Sequence, residues 1–267
     1  MPDLSAIRAL IIDLDGVLWR GRAFLPGVAD FFETLRARQL PFVLATNNAT
    51  ASPAAIKQRL KEAGIEIELD EVMTSAMAAA AYAGDNLPAG SNVLVIGEAA
   101  LHDALRVQGL QVTAQADGSR AVIVGMDRSL AWPQLAEACL AIRAGAAFIG
   151  TNPDVSFPTE RGQVPGNGAT LAALQAATDV EPTIIGKPEP HLYEQALRRM
   201  GVPAGQTLVL GDRLETDILG GLRIGAPTGL LLTGVTHRHL LGDSDIQPDY
   251  VFEDLAAVVA ALNRTAK

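Results

Sequence analysis

An apolar run that ends on two carboxylates constrains this chain more than any other stretch. Residues Ala9-Leu10-Ile11-Ile12 lead into Asp13-Leu14-Asp15-Gly16. Four aliphatics without alternation predict a strand buried on both faces, as inside a parallel sheet. Asp13 then stands at the carboxyl end of that strand, the edge where open α/β sheets bind ligands. Carboxylates this close disfavour each other, and a bound cation removes the cost. Hard oxygen ligands of this kind suit Mg²⁺. Alone, the segment also reads as a simple Asp-Gly turn.

The pattern around it decides between the two. A helix is predicted over 28–38, with Phe31, Phe32 and Leu35 inward, and a strand over 40–45 runs into Thr46-Asn47-Asn48. Ser52-Pro53 caps and opens the next helix, which stops at Gly64. A strand over 71–74 and an alanine-rich helix over 76–83 complete a β-α-β-α-β series with short loops. The turn-rich stretch 84–90 then opens a second alternation. Its strands fall at 92–96, 121–125 and 147–150, and its helices at 99–108, 133–144 and 169–177. After Glu181-Pro182 the first style returns, with strands at 183–185, 207–210, 229–232 and 250–252 and helices at 190–200 and 215–224 and a last one ending at Asn263. The expected fold is α/β. A doubly wound, Rossmann-like parallel-sheet core is built from residues 1–83 and 181–267, and a smaller α/β domain, residues 84–180, is inserted into it.

Composition narrows the function classes. The 267 residues carry a net charge of −9 without a dense run of Lys or Arg, which argues against nucleic acid or a membrane surface as partner. The single cysteine, Cys139, falls in a predicted helix and allows no intramolecular disulfide. No apolar stretch approaches the ~18 residues needed to cross a bilayer, and the first residues lack a signal-peptide layout. A cytoplasmic protein is expected, and the apolar helices of the inserted domain are compatible with a homodimer. His102, His191, His237 and His239 lack the spaced partners of a zinc site. Trp19 reads equally as core or as the border of a site entrance, and Asp127 as a substrate contact or, more simply, a turn residue.

The strand ends carry the chemistry. Asp13 and Asp15, Thr46 and Asn47, Lys187, and Asp212 each follow a predicted core strand, and in a parallel sheet such ends share one edge. Together they describe phosphoryl transfer. Asp13 is the expected nucleophile, giving an aspartyl phosphate, and Asp15 the acid that protonates the leaving alcohol and then activates water. Mg²⁺ held by Asp13, Asp212 and the Asp15 backbone carbonyl offsets the repulsion between anionic nucleophile and anionic substrate. The Thr46 hydroxyl, the Asn47 backbone N–H and the Lys187 ammonium neutralise the equatorial oxygens. Asp217 is expected to support Lys187 or metal-bound water. Two rivals use similar parts: a receiver-like regulator that binds phosphate without turnover, and a phosphotransferase or mutase. A receiver needs neither the acid Asp15 nor an inserted lid.

The motifs Asp13-Leu14-Asp15-Gly16-Val17-Leu18-Trp19-Arg20-Gly21, Thr46-Asn47-Asn48, Lys187-Pro188 and Gly211-Asp212-Arg213-Leu214-Glu215-Thr216-Asp217 occur in this order. In that order the chain resembles the haloacid-dehalogenase-like phosphatases over essentially its whole length. It is most similar to subfamily IIA, with a C2-type cap, the NagD-like and p-nitrophenyl phosphatase group. The resemblance implies a Mg²⁺-dependent phosphatase of small phosphorylated metabolites. It also implies that the loop from Asp154 to Pro158, with Phe157, reads the leaving group together with Asn48. Phe157 stands where pyridoxal phosphate phosphatases place a histidine, which counts against that substrate. Gly166-Asn167-Gly168 reads as a phosphate loop or, more simply, a packing turn.

Overall fold

The computed structural model describes residues 3–159 and 161–264, without the side chain of Pro158. Packing divides the chain into two compact units, Met1–Thr46 with Pro53–Met73 and Lys187–Lys267, and Asn47–Ser52 with Thr74–Gly186.

The first unit is organised on the strand the sequence singles out. Ala9–Ile12 is buried at every position and lies centrally in a six-stranded sheet. It pairs in parallel with Phe42–Thr46 on one side and Thr207–Gly211 on the other, with Ile12 opposite both Leu44 and Leu210. This register sets Asp13 level with Ala45 and Gly211, so that Thr46 and Asp212 come at the same edge. Thr228–Leu231 and Tyr250–Phe252 extend the sheet in parallel, and Val72–Thr74 closes the other side. The Val28–Ala37 helix buries Phe31, Phe32 and Leu35 as its periodicity predicts. A small hairpin, Trp19–Arg20 with Ala23–Phe24, follows the first strand.

The helix expected over 215–224 is instead a π-helical turn, Leu214–Ile218, followed by an α-helical segment, Leu219–Arg223. Ile218 N–H reaches back five residues to the Arg213 carbonyl at 3.2 Å. Such widened turns concentrate at functional sites. Tyr193, fully buried on the Pro190–Met200 helix, fixes this turn by donating its hydroxyl to the Thr216 carbonyl at 3.0 Å. Gly220 makes room for the ring: a Cβ there would stand 2.3 Å from Tyr193 Cε2. Gly220→Ala is therefore expected to destabilise the protein by about 1–3 kcal/mol through overpacking, read as a lower denaturant midpoint. An unchanged midpoint would show that the ring has room to move.

The second unit has its own five-stranded parallel sheet, in the order Thr183–Ile184, Ala147–Gly150, Ala121–Val124, Asn92–Ile96, Gln111–Thr113. Leu94, Ile96, Val122, Val124, Phe148 and Leu171 are central to its core. Three expectations are corrected. The strand read over 183–185 as part of the first sheet is an edge of this one, where Thr183 and Ile184 register with Ile149 and Gly150. The alanine-rich helix, read over 76–83, runs Ser75–Asn86 and packs on the Ala99–Val107 helix. Its first turn is capped by the Thr74 hydroxyl, which accepts from Met77 N–H at 3.2 Å. The linker read at 84–90 is thereby shortened. Ser156–Thr159 and Gly162–Pro165, read as loop, form an antiparallel hairpin.

Candidate active site

The carboxyl edge of the first sheet gathers Asp13, Lys187, Asp212 and Asp217, side chains up to 204 positions apart in the chain. Lys187 is the hub. Its ammonium donates to Asp13 Oδ1 in a very short contact, to Asp217 Oδ1 at 2.7 Å and to the Ala45 carbonyl at 3.0 Å. Lys187 does not come from a strand of this sheet, as the sequence suggested. It opens the first unit's return, just beyond the edge strand of the other sheet, and its bond to Pro188 is cis.

The two remaining acids are held differently. Asp217 spends both oxygens on protein: Oδ1 on Lys187, and Oδ2 on Arg213 N–H at 3.1 Å and the Thr216 hydroxyl at 3.3 Å. Asp212 accepts from Val235 N–H through Oδ2 at 2.7 Å, while its buried Oδ1 has no partner among the described residues. Glycines close round these carboxylates. A Cβ on Gly16, whose φ is +85°, would lie 2.2 Å from Asp212 Oδ2, one on Gly234 1.7 Å from the same atom, and one on Gly211 2.2 Å from Asp217 Cβ. Gly16 and Gly211 fall within motifs visible in the sequence. Gly234 and Val235 were missed, and only the Thr233-Gly234 turn dipeptide hints at them.

The electrostatics follow from burial. Taking Asp13 out of water pushes its carboxyl well above the usual range; Lys187 pulls it back, and Asp217 and Asp212 push it further up. Burial and Asp217 raise Asp212 to about 7. Burial alone would lower Lys187, but Asp13 and Asp217 reverse this and hold it well above its ordinary value, so it is an ammonium. The Lys187 ammonium thus faces three acids, and the Arg213 charge also lowers Asp212. One oxygen each from Asp13, Asp212 and Asp217 lies within 4.8 Å of the others. Asp217 is taken up by Lys187, Arg213 and Thr216, so the acids of this cluster that fit a hard divalent cation are Asp13 and Asp212, the latter with its orphaned buried oxygen.

Asp15 is exposed, and its Oδ1 accepts from the indole Nε1–H of Trp19 at 2.9 Å. Thr46 ends its strand and is buried. Asn47, which packs with the second unit, donates through Nδ2 to Asp154 Oδ2 at 3.2 Å. Its carbonyl accepts from Ser75 Oγ at 2.7 Å and from Asn152 Nδ2 at 2.8 Å. Asn48 is exposed and turns its Oδ1 onto Thr50 N–H and Oγ1. Phe157 is half-buried on the hairpin opposite Val164. The side chain of Pro158 lies outside the described residues.

Gly166-Asn167-Gly168 is a packing turn. The Gly166 N–H goes to the Val155 carbonyl and the Gly168 N–H to the Asp154 carbonyl, both at 2.8 Å. A Cβ on either glycine would collide with the Asp154 or Pro153 carbonyl at 2.3 Å. These glycines permit the approach that fixes the 153–155 loop, and their N–H groups are not available to a phosphate.

Comparison with known proteins agrees with this geometry. A family model described as haloacid dehalogenase-like hydrolase matches residues 10–111, and a second model of HAD-hydrolase-like proteins matches residues 184–258. An acid sugar phosphatase of Staphylococcus aureus is 37% identical over 261 residues, covering 98% of this chain and all of that protein. The structure of a p-nitrophenyl phosphatase from Archaeoglobus fulgidus superposes with a TM-score of 0.91 at 33% identity, covering 97% of this chain and 100% of that one. A glycerol phosphate phosphatase from Mycobacterium tuberculosis, solved with magnesium, gives 0.88 at 36% identity, covering 97% and 78%.

Proposed function

The chain belongs to the haloacid dehalogenase-like hydrolases, in the NagD and p-nitrophenyl phosphatase branch, and is a phosphoric monoester hydrolase; from that premise we propose that it hydrolyses small phosphorylated metabolites with Mg²⁺, through an aspartyl phosphate on Asp13. In this reading the first unit, Met1–Thr46 with Pro53–Met73 and Lys187–Lys267, is the catalytic core, and the second, Asn47–Ser52 with Thr74–Gly186, is a cap that selects the leaving group. The observation that carries it is the Lys187 ammonium bridging Asp13 and Asp217 while Asp212 leaves one buried oxygen unused.

Asp13, Asp212 and the Asp15 backbone carbonyl would hold the metal. Bound there, Mg²⁺ supplies the positive charge that lets an anionic carboxylate approach an anionic phosphate. A carboxylate oxygen of Asp13 attacks phosphorus and forms the new P–O bond as the ester P–O bond breaks. Asp15 gives its proton to the departing alcohol oxygen, then takes one from the water that cleaves the Asp13–phosphate bond. Lys187, the Thr46 hydroxyl and the Asn47 N–H take up the charge on the equatorial oxygens. Asp217, saturated by Lys187, Arg213 and Thr216, positions the lysine and leaves metal ligation to Asp212. Asn48, Asp154, Phe157 and Pro158 are assigned to leaving-group recognition.

The test is phosphate release from p-nitrophenyl phosphate by metal-stripped protein. No turnover until Mg²⁺ is added supports the reading; a stable phosphoprotein without multiple turnover supports a receiver-like regulator instead. Asp212→Asn is expected to raise the Mg²⁺ concentration for half-maximal rate by about tenfold or more, since even outer partners of a metal are worth that much. An unchanged Mg²⁺ dependence would remove Asp212 from the metal site. With the Asp212 carboxyl raised to about 7, metal must displace a proton at mildly acidic pH. Mg²⁺ affinity is therefore expected to rise from about pH 6 to about pH 8, with proton release on binding, in calorimetric titrations run in two buffers. Affinity that is flat across this range would contradict it.

A further inference from the structure

The hairpin behind the first motif carries an assembly that the mechanism above leaves unused. Trp19 is 3% exposed, and its indole N–H points at Asp15 Oδ1 at 2.9 Å. The same two residues are joined through a backbone bridge, and Gly16 N–H donates to the Trp19 carbonyl at 2.7 Å. The indole is itself clamped. The Arg59 guanidinium, from the Pro53–Glu62 helix, lies 3.9 Å above its ring and 5.6 Å from the ring of Phe24. Phe24 meets Trp19 edge-on, with ring centroids 5.6 Å apart. Arg59 is tied down in turn by donating to the Gly21 carbonyl at 2.5 Å. An exposed carboxylate is thus held by a buried indole that is itself packed beneath Arg59 and against Phe24.

We propose that Trp19, locked by Arg59, is a positioning residue for Asp15, fixing one carboxyl oxygen by its indole N–H so that the other is presented to the leaving-group oxygen. This rests on the reading of Asp15 as the acid. Trp19 touches neither phosphate nor metal in this account; it acts through Asp15 alone. An indole N–H only donates, so it engages an oxygen that carries no proton. The other oxygen is left to deliver the proton as the ester P–O bond breaks, and to take one from water in the second half-reaction.

The experiment compares Trp19→Phe, Asp15→Asn and the double variant on p-nitrophenyl phosphate and on an alkyl phosphate such as glycerol phosphate. Nitrophenolate leaves without protonation, whereas an alkoxide needs the acid, a contribution of about 10²–10⁴-fold. Trp19→Phe keeps an aromatic ring beneath Arg59, loses the N–H and leaves a small void whose cost to folding falls equally on both esters. It is expected to lose about tenfold or more in the single-turnover rate of transfer from the alkyl ester, and less than about threefold in that from the nitrophenyl ester. Added to Asp15→Asn, it should cost nothing further, because coupled residues are not additive. Equal losses on both esters, or a full extra loss in the double variant, would overturn the proposal. If Asp15→Asn itself shows no preference for the activated ester, it is the reading of Asp15 that fails. Should Trp19→Phe not fold, Arg59→Lys, which keeps a positive charge near Asp15 but loses the planar guanidinium over the indole, must show the same leaving-group signature; loss without that signature overturns the proposal equally.

Discussion

Asp13→Asn is expected to abolish turnover, by about 10⁵-fold or more, while leaving a folded protein. Asparagine is isosteric and its amide oxygen can still accept from Lys187, but it offers no anionic oxygen to attack phosphorus. The fold should tolerate the change. Burial and two neighbouring acids make an ionised Asp13 an unfavourable tenant of its site, so replacing one charge relieves like-charge repulsion while Asp217 still pairs with the lysine. Phosphate release and a thermal melt on the same preparation check both halves. A variant with native rates would remove the nucleophile from the account, and one that is unfolded would place Asp13 among the structural residues.

Lys187→Met should do damage of two kinds. Methionine fills much the same volume but leaves Asp13 and Asp217 facing each other without a cation, in a site where Lys187 is 4% exposed. Breaking a buried ion pair from one side costs about 3–5 kcal/mol. The same change strips the equatorial oxygens of an ammonium, and removing one such preorganised donor costs about 10²–10³ in kcat. Mg²⁺ at high concentration should recover part of the stability and little of the rate. Lys187→Arg is not expected to rescue either, because a planar fork cannot direct bonds at once to Asp13, Asp217 and the Ala45 carbonyl. Equilibrium unfolding with and without Mg²⁺, beside single-turnover rates, separates the two effects. A stable Lys187→Met protein with near-native kcat would contradict both.

Much of this was legible in the residues because burial and charge conflict so sharply at a few places. A four-aliphatic run bounded by Asp and Gly fits a strand buried on both faces, and the acid that follows it then meets the sheet's carboxyl edge. Gly211-Asp212 could be read in the same way, because Thr207–Gly211 is likewise buried throughout. Less legible were pairings that depend on which sheet a short strand joins. Thr183–Ile184 is two residues long, and nothing in Thr-Ile distinguishes the edge of one parallel sheet from that of another. The Ser156–Thr159 and Gly162–Pro165 hairpin contains two prolines and no hydrophobic alternation, so it reads as loop. The edge strand Gln111–Thr113 offers no apolar run either. Contacts between distant side chains were the hardest. The sequence left Asp217 with two roles, and only the geometry joins it to Lys187. Arg59 and Gly234 carry no motif at all, yet one clamps the Trp19 ring and the other lets the Asp212 carboxylate come close to backbone.

The central claim is that two displacements occur at phosphorus, the first by a carboxylate of the protein. The stereochemical course tests it without requiring the intermediate to accumulate. A thiophosphate ester made chiral with oxygen isotopes would be hydrolysed in isotopically labelled water by the Mg²⁺-loaded protein, and the configuration of the inorganic thiophosphate determined. Two in-line steps through Asp13 predict net retention. Net inversion, the mark of a single direct attack by water, would contradict the account.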